Sequence, residues 1–178
     1  MLELFFGFIW KKARKERARR LFEEIVNQSR QPSFYRQLGI PDTLDGRFEL
    51  VVLHTFLIVR QLRHDKFRRQ LGRDIMTLLF DDFDLSLRET GVGDMGMGRR
   101  IKTMADGFYG RSEAYELGLA DRGTGLADAI ARNIFRDVHS KAALASLEAY
   151  VRREARAIED CSEADLLSGK VVYGPAPE

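Results

Sequence analysis

The chain has 178 residues, of which 29 are Lys or Arg and 27 are Asp or Glu, so its formal net charge is +2. This length fits one domain with a real core, and an apolar content of 44% with 12 Phe excludes a disordered chain. No run approaches the roughly 18 consecutive apolar residues of a membrane-spanning helix, and the single Cys161 excludes an intramolecular disulfide and a cysteine-based zinc site. The composition predicts a soluble, intracellular, single-domain protein and indicates no reaction.

The first ten residues, Met1 to Trp10, are strongly apolar, and a basic run follows them. On a helix, the side that continues into the domain carries Leu4, Phe8 and Trp10. The opposite side carries Leu2, Phe5, Phe6 and Ile9. Three interpretations of this segment stay open: contact with a membrane surface, contact with a protein partner or a second copy, and burial in the protein's own core. A signal peptide is excluded, because its basic residues would precede the apolar run.

The charge is concentrated near the N-terminus. Residues 1–40 hold 9 basic and 4 acidic side chains, a net of +5, so the other 20 basic and 23 acidic side chains leave −3 in the rest of the chain. Such a basic run attracts anionic lipid or RNA, although a solvated helix face is the simpler interpretation. The candidates for membrane or polyanion contact are Phe5, Phe6, Ile9, Lys11, Lys12, Arg14 and Lys15.

Apolar residues at helical spacing follow in chain order. The stripes run from Ala18 to Val26, from Phe67 to Leu87, from Leu126 to Phe135 and from Leu144 to Ile158. Phe48 to Val59 is almost continuously apolar, which fits a buried helix or a buried strand, and its length favours the helix. The sequence therefore predicts an all-α, single-domain fold of about six to eight helices with an amphipathic N-terminal helix.

The predicted organisation has three parts. Residues 1–17 form an apolar and basic N-terminal helical segment, residues 18–168 the all-helical domain, and residues 169–178 a flexible C-terminal tail. Turn residues at 91–98 and at Gly110 predict breaks between helices.

Residues capable of chemistry form no clear catalytic or metal-binding pattern. His54, on the apolar segment, is predicted to be a core histidine with a backbone partner, and Asp81, Asp82 and Asp84 to be solvated. The Gly91 to Gly96 run lacks the preceding strand of a dinucleotide site and predicts an interhelical loop, with Asp94 as an N-cap. We expect no cofactor, no metal and no enzymatic activity, with an enzyme that uses His54 or the Asp81–Asp84 region as one alternative.

A methionine and aromatic cluster is the feature most typical of a binding surface. It consists of Met95, Met97, Met104, Phe108 and Tyr109. Methionine is flexible and polarizable, so a surface rich in it adapts to varied apolar partners, although core filling explains such clusters as well. We take these five as candidate client-binding residues.

Two ordered motif blocks stand between about residues 18 and 160. The first block is Phe34-Tyr35, then Gly39 to Glu49, then Leu53-His54, and the second is Gly91 to Gly96, followed by Lys102, Met104 and Phe108 to Arg111. Together they resemble the ubiquinol–cytochrome c chaperone family, and the residues that carry the resemblance are Tyr35, Asp42, Asp45, Gly46, Arg47, Phe48, Gly93, Asp94 and Arg111. A purely structural role is also open for them, with Asp45 capping a helix, Arg47 pairing with an acidic neighbour and Gly110 ending a helix.

The resemblance implies a non-enzymatic, all-helical assembly factor of respiratory complex III. The family's mitochondrial members bind newly made cytochrome b near the ribosomal exit and act with a small partner protein. Because no long mitochondrial presequence precedes the motifs, we expect a bacterial-type member, located in the cytoplasm and peripherally at the cytoplasmic face of the inner membrane. The expected partners are cytochrome b or another nascent membrane protein, the ribosome, a small partner protein and an anionic membrane, but not DNA. The alternative is a membrane-surface or RNA-binding adaptor that acts through the basic N-terminal helix.

Overall fold

The fold was analysed in a computed structural model, which describes the backbone of residues 2–89, 97–120, 125–136 and 138–177, and the side chains of 10–89, 103–120, 125–136 and 138–177. The helices in these ranges are α1 (Leu2–Ser29), α2 (Pro32–Arg36), α3 (Leu44–Val59), α4 (Lys66–Glu89), α5 (Met97–Leu119), α6 (Leu126–Ile130), α7 (Lys141–Glu159) and α8 (Glu163–Ser168). A 3-10 turn (Arg60–Arg63) follows α3, and a π turn (Ala131–Phe135) follows α6. The all-α prediction is confirmed.

The central element is α3, which packs against α1, α4, α5 and α7. Every residue from Glu49 to Ile58 is buried, which explains why its sequence shows no polar face. The prediction of a helix here, rather than a strand, is confirmed. Burying each Leu or Phe of this segment contributes about 1.5–3 kcal/mol.

The first and fourth helices form one side of the domain. From Ala18 onward, α1 buries the predicted stripe, including Leu21 and Ile25. Before Ala18 its contact with α4 is polar, because Arg14 reaches Asp74 at 2.6 Å and Gln70 at 2.9 Å. Trp10, expected on the packed side, is instead 59% exposed. The apolar packing of α1, as far as its side chains are described, therefore begins one turn after Arg14.

The C-terminal segment from Lys170 to Pro177 lies against the domain without helix or strand. Val171 is 5% exposed, and the Gly174 N–H donates to Glu154 Oε2 of α7 at 2.9 Å. The Tyr173 hydroxyl donates to the His54 carbonyl at 3.2 Å. The segment is predicted to be a flexible tail, but these contacts give it a defined position on α3 and α7. The exact domain boundaries stay a prediction.

In the ranges that the structure describes, none of the helices combines the length and the apolar character needed to cross a membrane.

Candidate functional site

The first motif block builds the start of α3. The Thr43 hydroxyl accepts a hydrogen bond from the Gly46 N–H at 3.2 Å and so caps the helix. The prediction that Asp45 caps this helix is wrong, because Thr43 occupies the extended N-cap position and the Asp45 side chain pairs with Arg136. A Cβ on Gly46 would clash with the Pro41 carbonyl oxygen, so this position requires glycine for a close approach of loop and helix.

The charged residues of the block form ion pairs. The Arg47 guanidinium lies 2.6 Å from Asp42, as expected for a pairing with an acidic neighbour. This hydrogen bond lowers the pKa of Asp42 and raises the pKa of Arg47. On another face of α3, Asp45 lies 2.7 Å from Arg136, whose backbone is left-handed with φ 50° at the end of the π turn.

A third ion pair connects the two motif blocks and is buried. Arg111 of α5 donates two hydrogen bonds to the Glu49 carboxylate, at 2.7 Å and 2.6 Å. The Glu49 side chain is only 6% exposed and that of Arg111 27%. The hydrogen bonds to Glu49 raise the pKa of Arg111. This bidentate pair fixes α5 against α3, which is a structural role for Arg111.

A cleft opens beside the start of α3, between the end of α1, α2 and α4. We call it the α3 cleft. Its outer part, of about 590 Å³, is polar and is lined by Arg30, Pro32, Tyr35, Arg36, Ile40, Asp42 and Arg47. Its inner part, of about 80 Å³, shares three of these residues and is lined by Arg30, Tyr35, Leu44, Arg47, Phe48, Val51, Leu79, Asp82, Phe83 and Ser86.

The two parts of the cleft differ in the share of apolar residues in their lining. Three guanidinium groups and one carboxylate line the outer part, a net of +2. Five of the ten residues that line the inner part are apolar, and two of these, Phe48 and Phe83, pack with their ring centroids 4.3 Å apart. Tyr35 stands where the two parts meet, and its hydroxyl donates to the Ser29 carbonyl at 2.8 Å. Burial raises the pKa of this hydroxyl. Four motif residues, Tyr35, Asp42, Arg47 and Phe48, therefore line one cavity.

A polar network surrounds His54, which is fully buried. Its Nδ1–H donates to the Leu50 carbonyl at 2.7 Å, and its Nε2, 2.7 Å from the Tyr150 hydroxyl, accepts from that group. Gln28 in turn donates to the same hydroxyl at 2.9 Å. Burial lowers the pKa of His54 from 6.5 to about 4, so the ring is neutral at physiological pH. The prediction of a core histidine with a backbone partner is confirmed.

The candidate client-binding residues lie on or before α5, in different environments. Tyr109 is 67% exposed, Met104 is half-buried and Phe108 is 3% exposed, as part of the core. The Phe108 ring supports Tyr109 edge-on, with centroids 6.0 Å apart. The side chain of Met97 and all of Met95, Gly93 and Asp94 lie outside the described residues. Gly110 was expected to end a helix, which is wrong, because α5 continues through it to Leu119.

The candidate polyanion-binding residues are divided by the contact of α1 with α4. Lys11, Lys12 and Lys15 are exposed, whereas the Arg14 side chain is bound to Asp74 and only 17% exposed. The side chains of Phe5, Phe6 and Ile9 lie outside the described residues. Three of the seven candidates thus present charge to solvent, and Arg14 does not.

The acidic run on α4 is not arranged as a metal site. Among the residues the structure describes, no three His, Cys, Asp or Glu side chains converge closely enough to hold a metal ion. Asp81 is exposed, Asp84 accepts a hydrogen bond from Arg88 at 2.9 Å, and Asp82 lines the inner part of the cleft.

Sequence reasoning missed several members of the site. Arg30 and Arg36 belong to no motif, and Phe83 was assigned only to a core stripe, yet all three line the cleft. The only sequence signal for Arg30 and Arg36 is their proximity to the motif, since they stand on either side of Tyr35. Phe83 had none, because the packing of α4 beside α3 brings it there.

Comparison with known proteins places these features in context. The family model described as "Ubiquinol-cytochrome C chaperone" matches residues 36–173. The crystal structure of the Cbp3 homolog from Brucella abortus has a TM-score of 0.86 and 35% identity, and the match covers 99% of this chain and 98% of that one.

Two further relatives are curated proteins. The mouse protein "Ubiquinol-cytochrome c reductase complex assembly factor 1" is 25% identical over 164 residues, which are 90% of this chain and 56% of the mouse protein. "Protein CBP3, mitochondrial" of Saccharomyces cerevisiae is 28% identical over 149 residues, which are 80% of this chain and 44% of the yeast protein. The chain thus spans about half the length of these two relatives. With the family model matched along most of its length, the chain belongs to the ubiquinol-cytochrome C chaperone family.

Proposed function

We propose that this protein is a non-enzymatic assembly chaperone that binds newly synthesised cytochrome b, or a similar apolar membrane-protein client, during biogenesis of the ubiquinol–cytochrome c reductase. The observation that carries the proposal is the family match over residues 36–173, together with relatives named as assembly factors of this reductase. The proposal extends those names to a chain that spans only part of the mouse relative's length.

The use of the motif residues supports a binding role over a catalytic one. Asp45 is paired with Arg136 and Glu49 with Arg111, so these carboxylates hold helices together. Asp42 is paired with Arg47 at the edge of the α3 cleft.

The surface for an apolar client segment is proposed on α5. Tyr109 is exposed and Met104 half-buried, and Phe108 supports Tyr109 from the core side. Met95 and Met97 are included in the proposed client-binding surface only because they are close to Met104 in the sequence. Tyr109 and the three methionines would provide the adaptable apolar surface that a client transmembrane segment requires before assembly, with Phe108 behind Tyr109.

The proposed location is the cytoplasmic face of the bacterial inner membrane, with peripheral contact. Lys11, Lys12 and Lys15 are exposed on α1 and supply attraction to anionic headgroups, worth about 1 kcal/mol for each residue near the surface. The ribosome and a small partner protein are further proposed partners.

The decisive test combines deletion with capture. A strain without the gene is expected to lose assembled ubiquinol–cytochrome c reductase while its cytochrome b message is unchanged. A photocrosslinking amino acid at Tyr109 is expected to capture cytochrome b, whereas the same group at Val172, which is 86% exposed on the C-terminal segment, is not. Normal levels of the reductase in the deletion strain would overturn the proposal.

The second candidate function, an adaptor for membrane surfaces or RNA, is favoured by the exposed lysines of α1. It predicts that binding to anionic vesicles or RNA falls steeply with salt. Binding should also disappear when Lys11, Lys12 and Lys15 are changed to Gln, but persist when exposed Lys141 and Lys170 are changed instead. Equal binding by both variants would exclude it.

A further inference from the structure

The α3 cleft combines a rim of net positive charge with a small recess that contains five apolar side chains. Arg30 and Arg36 are exposed, and within the described ranges neither has an ion-pair partner. Arg47 is also on the rim but is held by Asp42 at 2.6 Å. The guanidinium groups of Arg30 and Arg36 are therefore free to donate hydrogen bonds to an anionic ligand at the mouth of the cavity.

The charge of the whole cleft limits how negative that ligand can be. Its lining contains Arg30, Arg36 and Arg47 against Asp42 and Asp82, so three positive and two negative groups leave +1. A polyphosphate backbone would place several negative charges beside the two carboxylates. A single carboxylate matches this balance, and guanidinium groups recognise it with directed hydrogen bonds.

The size of the inner recess limits its occupant. The recess holds about 80 Å³, and five of its ten lining residues are apolar: Leu44, Phe48, Val51, Leu79 and Phe83. A cavity of about 150 Å³ is known to hold benzene, so a recess of this smaller volume has room for a branched aliphatic group beside its apolar side chains but not for an acyl chain or a nucleobase. Because Arg30, Tyr35 and Arg47 belong to both parts, the aliphatic group and the carboxylate must be close together in the ligand.

We propose that the α3 cleft binds a short peptide segment in which an Asp or Glu side chain stands beside a Val, Ile or Leu. The carboxylate binds Arg30 and Arg36, and the aliphatic side chain fills the recess between Phe48, Val51 and Phe83. The identification of this segment as an extramembrane part of the client rests on the proposed function. The peptide chemistry itself rests on the cleft.

The test uses the full chain and two probes. The first is a display library of random 12-residue peptides, in which binders are expected to be enriched in Asp or Glu adjacent to Val, Ile or Leu. The second is a set of fluorescein-labelled synthetic peptides that cover the extramembrane segments of cytochrome b from the same organism. At least one of them is expected to bind, and its Asp→Asn or Glu→Gln version to bind at least about tenfold more weakly.

Matched variants locate the binding. The double change Arg30→Gln with Arg36→Gln is expected to weaken the best peptide by at least about tenfold. The control, Arg19→Gln with Arg156→Gln, removes the same charge from two other exposed positions and should leave binding unchanged. Both variants change only exposed side chains, so circular dichroism should be the same for both.

The outcomes separate this inference from the proposed function. If no peptide binds while the crosslinker at Tyr109 still captures cytochrome b, the cleft inference is wrong and the chaperone function stands. If the library shows the expected preference but the reductase assembles normally without the gene, the peptide chemistry stands and the function is wrong. Equal weakening by the two double variants, or binding of RNA or anionic vesicles that depends on Arg30 and Arg36, would overturn the cleft inference.

Discussion

The buried pair between Glu49 and Arg111 allows a quantitative test of how the two motif blocks hold together. Both hydrogen bonds of this pair come from Arg111, and the Glu49 side chain is 6% exposed. Replacing Arg111 with Met leaves a buried carboxylate without its cation. Breaking such a pair costs about 3–5 kcal/mol, a large part of the roughly 5–15 kcal/mol of free energy that stabilises a typical domain.

Urea denaturation followed by circular dichroism measures this cost. With a denaturant slope of about 2 kcal/mol per molar, the unfolding midpoint of R111M should fall by about 1.5–2.5 M. The double variant E49Q/R111M removes the stranded charge and should recover at least half of the loss. R111K should be intermediate, because an ammonium group cannot make the bidentate contact. A loss below about 1 kcal/mol in R111M, or a double variant less stable than R111M, would refute the reasoning.

Three further predictions concern stability. Burial lowers the pKa of His54 from 6.5 to about 4. As the pH falls from 6.5 to 4, the His54 ring therefore takes up a proton in the unfolded chain before it does so in the folded one. The free energy of unfolding should fall by up to about 3 kcal/mol over this pH range. In His54→Asn, the free energy of unfolding, measured by urea titration, should change less between pH 7 and pH 4 than it does in the wild type. An equal change in both proteins would contradict the burial of a neutral ring. Gly46→Ala should lower the free energy of unfolding by about 2 kcal/mol or more, because its Cβ meets the Pro41 carbonyl. Gly110→Ala lies inside α5 with open space around its Cβ, so it should raise the free energy of unfolding by about 0.5–1 kcal/mol. Thermal denaturation measures both effects. Equal effects of these two changes would be inconsistent with the close approach at α3. Deleting residues 170–178 should cost about 3–5 kcal/mol, because it exposes the site of Val171 and removes the Gly174 hydrogen bond to Glu154; an unchanged melting temperature would instead favour a flexible tail.

In α3 and α5, a long apolar run predicts secondary structure better than a single glycine does. The length of Phe48 to Val59, its lack of a turn signal and its helical neighbours predict a helix, and this prediction is confirmed. A segment buried on all sides needs partners for its backbone groups, and a helix supplies them internally. Gly110 was expected to end a helix and lies inside α5. Glycine lowers helix stability by only about 1 kcal/mol, which the packing of α5 outweighs, so a single glycine is weak evidence for a break.

Periodicity and composition alone determined that the chain is all-α, which segments are buried, and that His54 belongs to the core, because helical spacing of apolar side chains is a local property. The order of the motif residues was sufficient for the family. Only the tertiary structure decided that Glu49 meets Arg111 across 62 positions, that Arg14 is occupied by Asp74, and that Arg30, Arg36 and Phe83 line one cavity with Tyr35 and Arg47. Such contacts depend on how α1, α4 and α5 pack around α3, and many packings satisfy the same pattern of apolar and polar residues.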